Sequence, residues 1–263
     1  MTTLPSAATI GLARGRVELR EFFRRKEMVI FTFSLPAVLL LLLGSIEHGQ
    51  YTGQLLTAGM IGAGVVSTSF VSVGIGIALD REDGTLKRLR GTPMPAVAYF
   101  TGKLVLVLVS SIAEVALLLL VGTLVFHVQL PGTASGWLTL AWVFLLGVTG
   151  CALLGIAASS LTRSARSAPA VLNLVFIVLE FISGIFVVPI TTLPGWMVRL
   201  ASVFPVKWLA QGFRSVFLPG NLSVLEAAGQ WEHARTAIIL GAWCLAGLVL
   251  CLVSFRWTNR RAG

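Results

Sequence analysis

The sequence predicts an all-α integral membrane protein. Its parts are six transmembrane helices, an N-terminal amphipathic interfacial helix, a short cytoplasmic helix between spans 2 and 3, and outer re-entrant helices between spans 5 and 6. Three observations carry this. Of 263 residues, 56% are hydrophobic and only 12% are charged, where soluble chains carry roughly 45–50% and about 25%. The mean hydropathy is +0.89. The charges are also segregated, leaving charge-poor stretches long enough to cross a bilayer core, which needs about 20 residues. A water-soluble enzyme, a secreted factor and a disordered chain are all excluded by this balance. A single membrane domain is expected over residues 1–263, with an interfacial segment at 1–27 and a six-span bundle at 28–256.

The segment before the first span carries Arg14, Arg16, Arg20, Arg24, Arg25 and Lys26. Leu12, Leu19, Phe22 and Phe23 fall on one side of a helix there, which suits a helix lying on the inner membrane surface against anionic lipid. Span 1 is Met28–Ile46, interrupted by Pro36, which frees the carbonyl of Thr32 and predicts a local kink. Span 2 is Leu55–Leu79, with Ala58, Gly59, Gly62, Gly64, Gly74 and Gly76. Span 3 is Leu104–Phe126 and holds one acid, Glu114. Span 4 is Trp137–Thr162, with Gly147, Gly150 and Gly155. Small residues of this kind let membrane helices approach closely.

Span 5 begins near Ser167 and runs to Val198, with Glu180 inside it and breaks at Pro189 and Pro194. Leu193–Leu218 is too apolar for a solvated loop and is read as one or two short helices dipping into the outer leaflet, anchored by Trp196, Phe204, Trp208, Phe213 and Phe217. Span 6 is Thr236–Phe255. The late first apolar stretch, without a small-residue cleavage site, fits a secretory signal poorly. All 20 basic residues except Arg199, Lys207, Arg214 and Arg235 fall on one side of this arrangement, so both termini are expected in the cytoplasm. The formal charge of +9 is explained by that asymmetry, without nucleic acid as a partner.

Few residues carry recognisable chemistry. Cys151, Cys244 and Cys251 lie in apolar stretches without metal-ligand spacing. His48, His127 and His233 are far apart. No HExxH or GxSxG occurs, so no catalytic, cofactor or metal site is expected. Glu114 and Glu180 are costly in a membrane and must be protonated, paired or facing a wet interior. Asn173, Glu180 and Gly184 lie on one side of span 5 as a possible polar stripe. A proton-coupled secondary transporter using Glu114 and Glu180 is therefore the alternative the residues themselves suggest.

The most structured connection runs from Asp80 to Pro95. Acids precede bases, as suits a short helix and its dipole. Leu86 and Leu89 form a small apolar face, and Thr92-Pro93 can cap and start the next helix. Such an element is suited to docking and holds no nucleophile–base pair.

With these residues in view the sequence resembles the permease subunits of ABC-2 type transporters, in the drug-exporter or daunorubicin-resistance branch. The matching positions are Asp80-Arg81-Glu82, Gly84-Thr85-Leu86, Leu89 and Thr92-Pro93. A second set is Phe181-Ile182-Ser183-Gly184-Ile185-Phe186, then Pro189, Leu193-Pro194, Pro205, Trp208 and Phe213-Arg214. Asp80 stands where glutamate is commoner, and Gln211 where an acid is frequent. The resemblance implies a dimer of permeases, same or homologous, in the bacterial cell membrane, with two cytosolic ATP-binding subunits below. It makes Arg81, Glu82, Gly84, Thr85, Leu86, Arg88 and Leu89 the coupling helix, with Arg20, Phe23 and Arg24 on a connecting helix beside it. It implies outward movement of a hydrophobic or amphiphilic substrate, with ATP and Mg held by the partner. The chain has no Gly-x-x-x-x-Gly-Lys-Ser/Thr sequence of its own.

Overall fold

The computed structural model describes residues 6–47, 49–92, 94–162 and 164–254, and these contain helices and no strand. His48, Pro93, Arg163, Phe255, Arg256, Arg260 and Arg261 lie outside the described residues.

Helix α1 (Ala7–Arg24) starts where the Ser6 hydroxyl accepts the Thr9 N–H at 3.2 Å, one of the four donors a helix start leaves unpaired. Helix α2 (Lys26–Ile46) continues through Pro36. Helix α3 (Thr52–Val66) passes into a π-helical segment, Ser67–Ser72, and then α4 (Val73–Glu82). The widened ladder coincides with a hydroxyl-rich run. The Ser69 hydroxyl donates to the Val65 carbonyl, and Ser72 Oγ to the Ser67 carbonyl at 3.3 Å, local bonds that compete with the regular ladder.

Gly84, at φ +72°, turns the chain into the short helix α5 (Thr85–Arg90). Helix α6 (Ala96–Phe126) has Pro95 at its N-cap, so it begins after the Thr92-Pro93 pair expected to start it. Helices α7 (Ala134–Ser159) and α8 (Ala168–Ile182) follow. The long fifth stretch does not continue to Val198. It stops at Ile182 because Ser183 leaves the helix and Gly184 takes a left-handed φ of +73°, a local choice that hydropathy does not register. Helices α9 (Gly195–Val203), α10 (Pro205–Phe217) and α11 (His233–Ser254) complete the chain.

Among the described residues, four segments are long and apolar enough to cross a membrane: Thr52–Glu82, Val97–Phe126, Ala134–Ser159 and His233–Val253. Thr32–Ile46 and Ala168–Ile182 are shorter apolar helices. The centre of the molecule is α10, which packs on α3, α7 and α11. Trp208, Leu209, Ala210 and Phe213 are fully buried, whereas Trp196 is exposed. The expected interfacial role of Trp208, Phe213 and Phe217 is thus replaced by a core role, since three long helices surround their helix.

Close approach holds α7 to the π segment. A Cβ on Gly155 would lie 2.5 Å from the Phe70 carbonyl oxygen, and backbone cannot yield as a side chain can. Gly155→Val is expected to destabilise the fold by about 1–3 kcal/mol, measurable as a lowered thermal midpoint. Gly241→Val, where nothing lies within 4 Å of an added Cβ, serves as the control.

Candidate functional site

The end of the bundle that carries α1 and α5 is held by consecutive charged residues reaching different neighbours. Asp80 Oδ2 accepts the Tyr99 hydroxyl at 2.7 Å and pairs with Lys103 Nζ at 2.7 Å. Lys103 also pairs with Glu18 Oε2 at 2.8 Å, and Glu18 Oε1 with Arg14 at 2.6 Å. Arg81 donates to the Ser159 carbonyl at 2.9 Å, and Glu82 accepts the Ala165 N–H at 2.6 Å. The run therefore joins α4 to α6 and α1, to the end of α7, and to the α7–α8 turn. Glu18 and Lys103 are each 5% exposed, so their pairing is needed to offset desolvation. Burial works against the Arg14 charge, but Glu18 prevails and holds the guanidinium above its usual pKa. A cavity of about 90 Å³ beneath this network is lined by Glu18, Asp80, Lys103, Thr68 and Ser110.

Helix α1 meets α6 through Gly11, Gly15, Glu18 and Phe22, its buried residues. A Cβ on Gly15 would lie 2.7 Å from Val105, and one on Gly11 2.7 Å from Thr101. The apolar side expected at Leu12, Leu19, Phe22 and Phe23 is split. Phe22 packs inward, while Leu12 and Phe23 stay exposed together with Arg20 and Arg24. The reason is steric, because glycines rather than leucines give α1 its closest approach.

The pair Leu86 and Leu89 is also divided. Leu86 is fully buried in the main apolar cluster and Leu89 is half-buried against it. They anchor α5 to its own chain instead of both facing outward. What α5 exposes is Lys87 and Arg88, next to exposed Asp83; Gly84 and Thr85 are half-buried.

Inside the bundle, Glu114 Oε2 accepts the Thr68 hydroxyl at 2.5 Å. A Cβ on Gly64 would lie 2.6 Å from its Oε1, so the missing side chain makes room for the carboxyl group. Glu180 is buried, and among the described residues nothing hydrogen-bonds to its Oε1. Asn173 donates to the Pro169 carbonyl of its own helix at 2.8 Å. Asn173, Glu180 and Glu114 are not joined into one polar site. The Asn173 bond stays within its own helix, and the Glu114 bond reaches a single neighbour.

At the opposite end, Arg214 pairs with Glu226 through Nε–Oε1 at 2.6 Å and Nη2–Oε2 at 3.1 Å, and donates to the Gly184 carbonyl at 2.6 Å. Both charged side chains are about 1% exposed. Trp208 Nε1 donates to the Ser202 carbonyl at 2.8 Å, and Lys207 Nζ lies 3.9 Å from the Trp208 ring centroid. Pro194 caps α9, Pro205 is the first residue of α10, and Pro189 precedes a short 3₁₀ turn at Ile190–Thr192. Prolines suit these positions because a first-turn N–H has no helical partner.

Residues 14–218 match the model of the ABC-2 type transporter family. The chain belongs to the ABC-2 type transporter family. It is also 26% identical over 163 residues to proteins named "Probable multidrug ABC transporter permease YbhS" in Escherichia coli strain K12 and in Escherichia coli O157:H7. Each alignment covers 62% of this chain and 41% of the relative, so the chain spans well under half the length of the relatives it matches.

The matched part of this ABC-2 membrane chain begins in α1 and ends just after α10, taking in both charge clusters except Glu226. Sequence reasoning missed Glu18, Tyr99, Glu226 and Lys207 as structural partners, and by starting span 3 at Leu104 it left out Lys103, which lies inside α6. The available signal was isolation. Lys103 is the lone base near the start of a long apolar run, and Glu18 is an acid within a basic segment. Among the described residues no group of three or more His, Cys, Asp or Glu is placed to hold a metal.

Proposed function

We propose that this chain is the permease subunit of an ATP-driven exporter, with ATP hydrolysed on a separate subunit. In this reading α2, α3–α4, α6, α7, α8 and α11 make six crossings of a bacterial cell membrane, in one domain with both termini cytoplasmic. Helix α1 lies along the inner surface as the connecting helix, α5 is the coupling helix, and α9–α10 re-enter from outside. A second permease, same or homologous, and two ATPase copies complete the transporter. The likeness to proteins named as probable multidrug permeases supports a hydrophobic or amphiphilic cargo.

The observation that carries this reading is the junction at Asp80–Glu82. It ties α1, α4, α6, α7 and the α7–α8 turn into one block beside α5, while Lys87 and Arg88 remain exposed. A partner gripping α5 would therefore displace several helices together. Rim charges of this kind set partner choice more than raw affinity.

The test is a mild-detergent purification of the tagged chain from its native membrane, followed by mass identification of what travels with it. Recovery of a near-stoichiometric soluble ATPase supports the assignment. Lys87→Glu with Arg88→Glu is expected to cut that recovery about tenfold at unchanged thermal stability, because both side chains face solvent. Failure to recover any ATPase, even after crosslinking before lysis, would remove the reading. Leu86→Asp is unsuitable for this purpose, since it places a charge in the chain's own core.

A further inference from the structure

A chamber of about 270 Å³ lies between α7, α8 and α11, walled by Ala158, Phe176, Leu179 and Leu250. It exists because α8 leans on α4, the π segment, α9 and α10 for its main packing, leaving a gap toward α7 and α11. Phe204 and Trp243 also line it. Their rings stack with centroids 6.1 Å apart and planes 16° apart, and Trp243 Nε1 donates to the Val203 carbonyl at 2.7 Å. The turn between α9 and α10 is thereby fixed as a roof facing the α1/α5 end.

Three features identify the occupant. First, the lining is almost wholly apolar, with Ser160 as its one hydroxyl. Water needs two to four polar partners, whereas a dry engineered cavity of roughly 150 Å³ accepts benzene; this chamber is larger. Second, the lining residues Leu161, Leu250 and Val175 are 79%, 46% and 42% exposed, so the chamber opens sideways onto an apolar flank. Third, Ser160 and Leu161 begin the α7–α8 turn, which carries the exposed Arg166 and is tied by Glu82 to the end holding α1 and its basic residues. Arg166 follows the lining residue Leu161 by five positions, and an exposed cation on that turn suits an anionic headgroup at the membrane surface.

We propose that this chamber takes the hydrocarbon tail of an anionic amphiphile standing in the leaflet on the α1/α5 side, with its headgroup at the α7–α8 turn. The leaflet is the cytoplasmic one if the orientation proposed above holds. Tail binding itself does not depend on that orientation or on an ATPase.

The experiment uses the full chain in phosphatidylcholine nanodiscs doped with phosphatidylglycerol carrying a diazirine on its acyl chain. Illumination and peptide mapping are expected to place adducts on Leu161, Val175 and Leu250. Ala158→Phe, which fills the chamber, should lower that labelling about tenfold at unchanged thermal stability. Arg166→Glu, on the surface, should lower labelling by the phosphatidylglycerol probe and leave that by a phosphatidylcholine diazirine probe unchanged. Adducts spread evenly over lipid-facing positions such as Leu138 and Ile238, indifferent to Ala158→Phe, would overturn the proposal. So would equal chamber labelling by both probes regardless of residue 166. Because no partner is needed, this outcome is independent of whether an ATPase is recovered with the chain.

Discussion

Lys103→Met is expected to cost about 3–5 kcal/mol of stability, the range found when one partner of a buried ion pair is removed. Lys103 Nζ bridges Glu18 on α1 and Asp80 on α4 through two salt bridges. Its loss leaves two carboxylates facing the cavity beneath them. The thermal midpoint of the detergent-purified chain should fall, and protease should cleave α1 earlier. Adding Asp80→Asn should recover part of the loss, because that carboxylate has then lost its cation, whereas Glu18 keeps its ion pair with Arg14. A midpoint unchanged by Lys103→Met would show that water reaches the cluster and that α1 is held by its glycine contacts instead.

Arg214→Met should have a comparable effect at the other end, about 3–5 kcal/mol, because it strands Glu226 and removes the donor to the Gly184 carbonyl. The expected local sign is faster amide exchange across the 184–194 segment and the 219–226 turn. The pair Arg214→Met with Glu226→Leu should regain most of the stability, since replacing both members of a buried pair by apolar groups is often close to neutral. Its failure to do so would assign the main role to the bond with Gly184.

The long apolar stretches were legible because bilayer thickness sets their length, and α6, α7 and α11 lie where hydropathy locates them. The break at Gly184 was not legible, since a left-handed glycine changes direction without changing composition. Helix α10 misled for another reason. Its Trp208, Phe213 and Phe217 were expected to be interfacial anchors, yet distant loops meet the helix: Glu226 and the Gly184 carbonyl accept from Arg214, and the Gln230 carbonyl accepts from Gln211. Only tertiary contact reveals that satisfaction. On α1 the signal lay in Gly11 and Gly15, which contribute nothing to a hydrophobic pattern but determine which face packs. At α5 the spacing of Leu86 and Leu89 indicated an apolar face, but spacing alone does not say whether that face looks toward a partner or toward the chain's own core.

The consecutive placement of Asp80, Arg81 and Glu82 has a kinematic consequence. Successive residues on an α-helix point about 100° apart, so three in a row brace the end of α4 from around its circumference. Spinning this helix about its long axis would shear at least one of the bonds to Lys103, Ser159 or the Ala165 amide. Pivoting it together with α1, α6 and α7 shears none of them. The junction works as a keyed shaft, suppressing twist and passing a push at α5 along the block as a change of inclination.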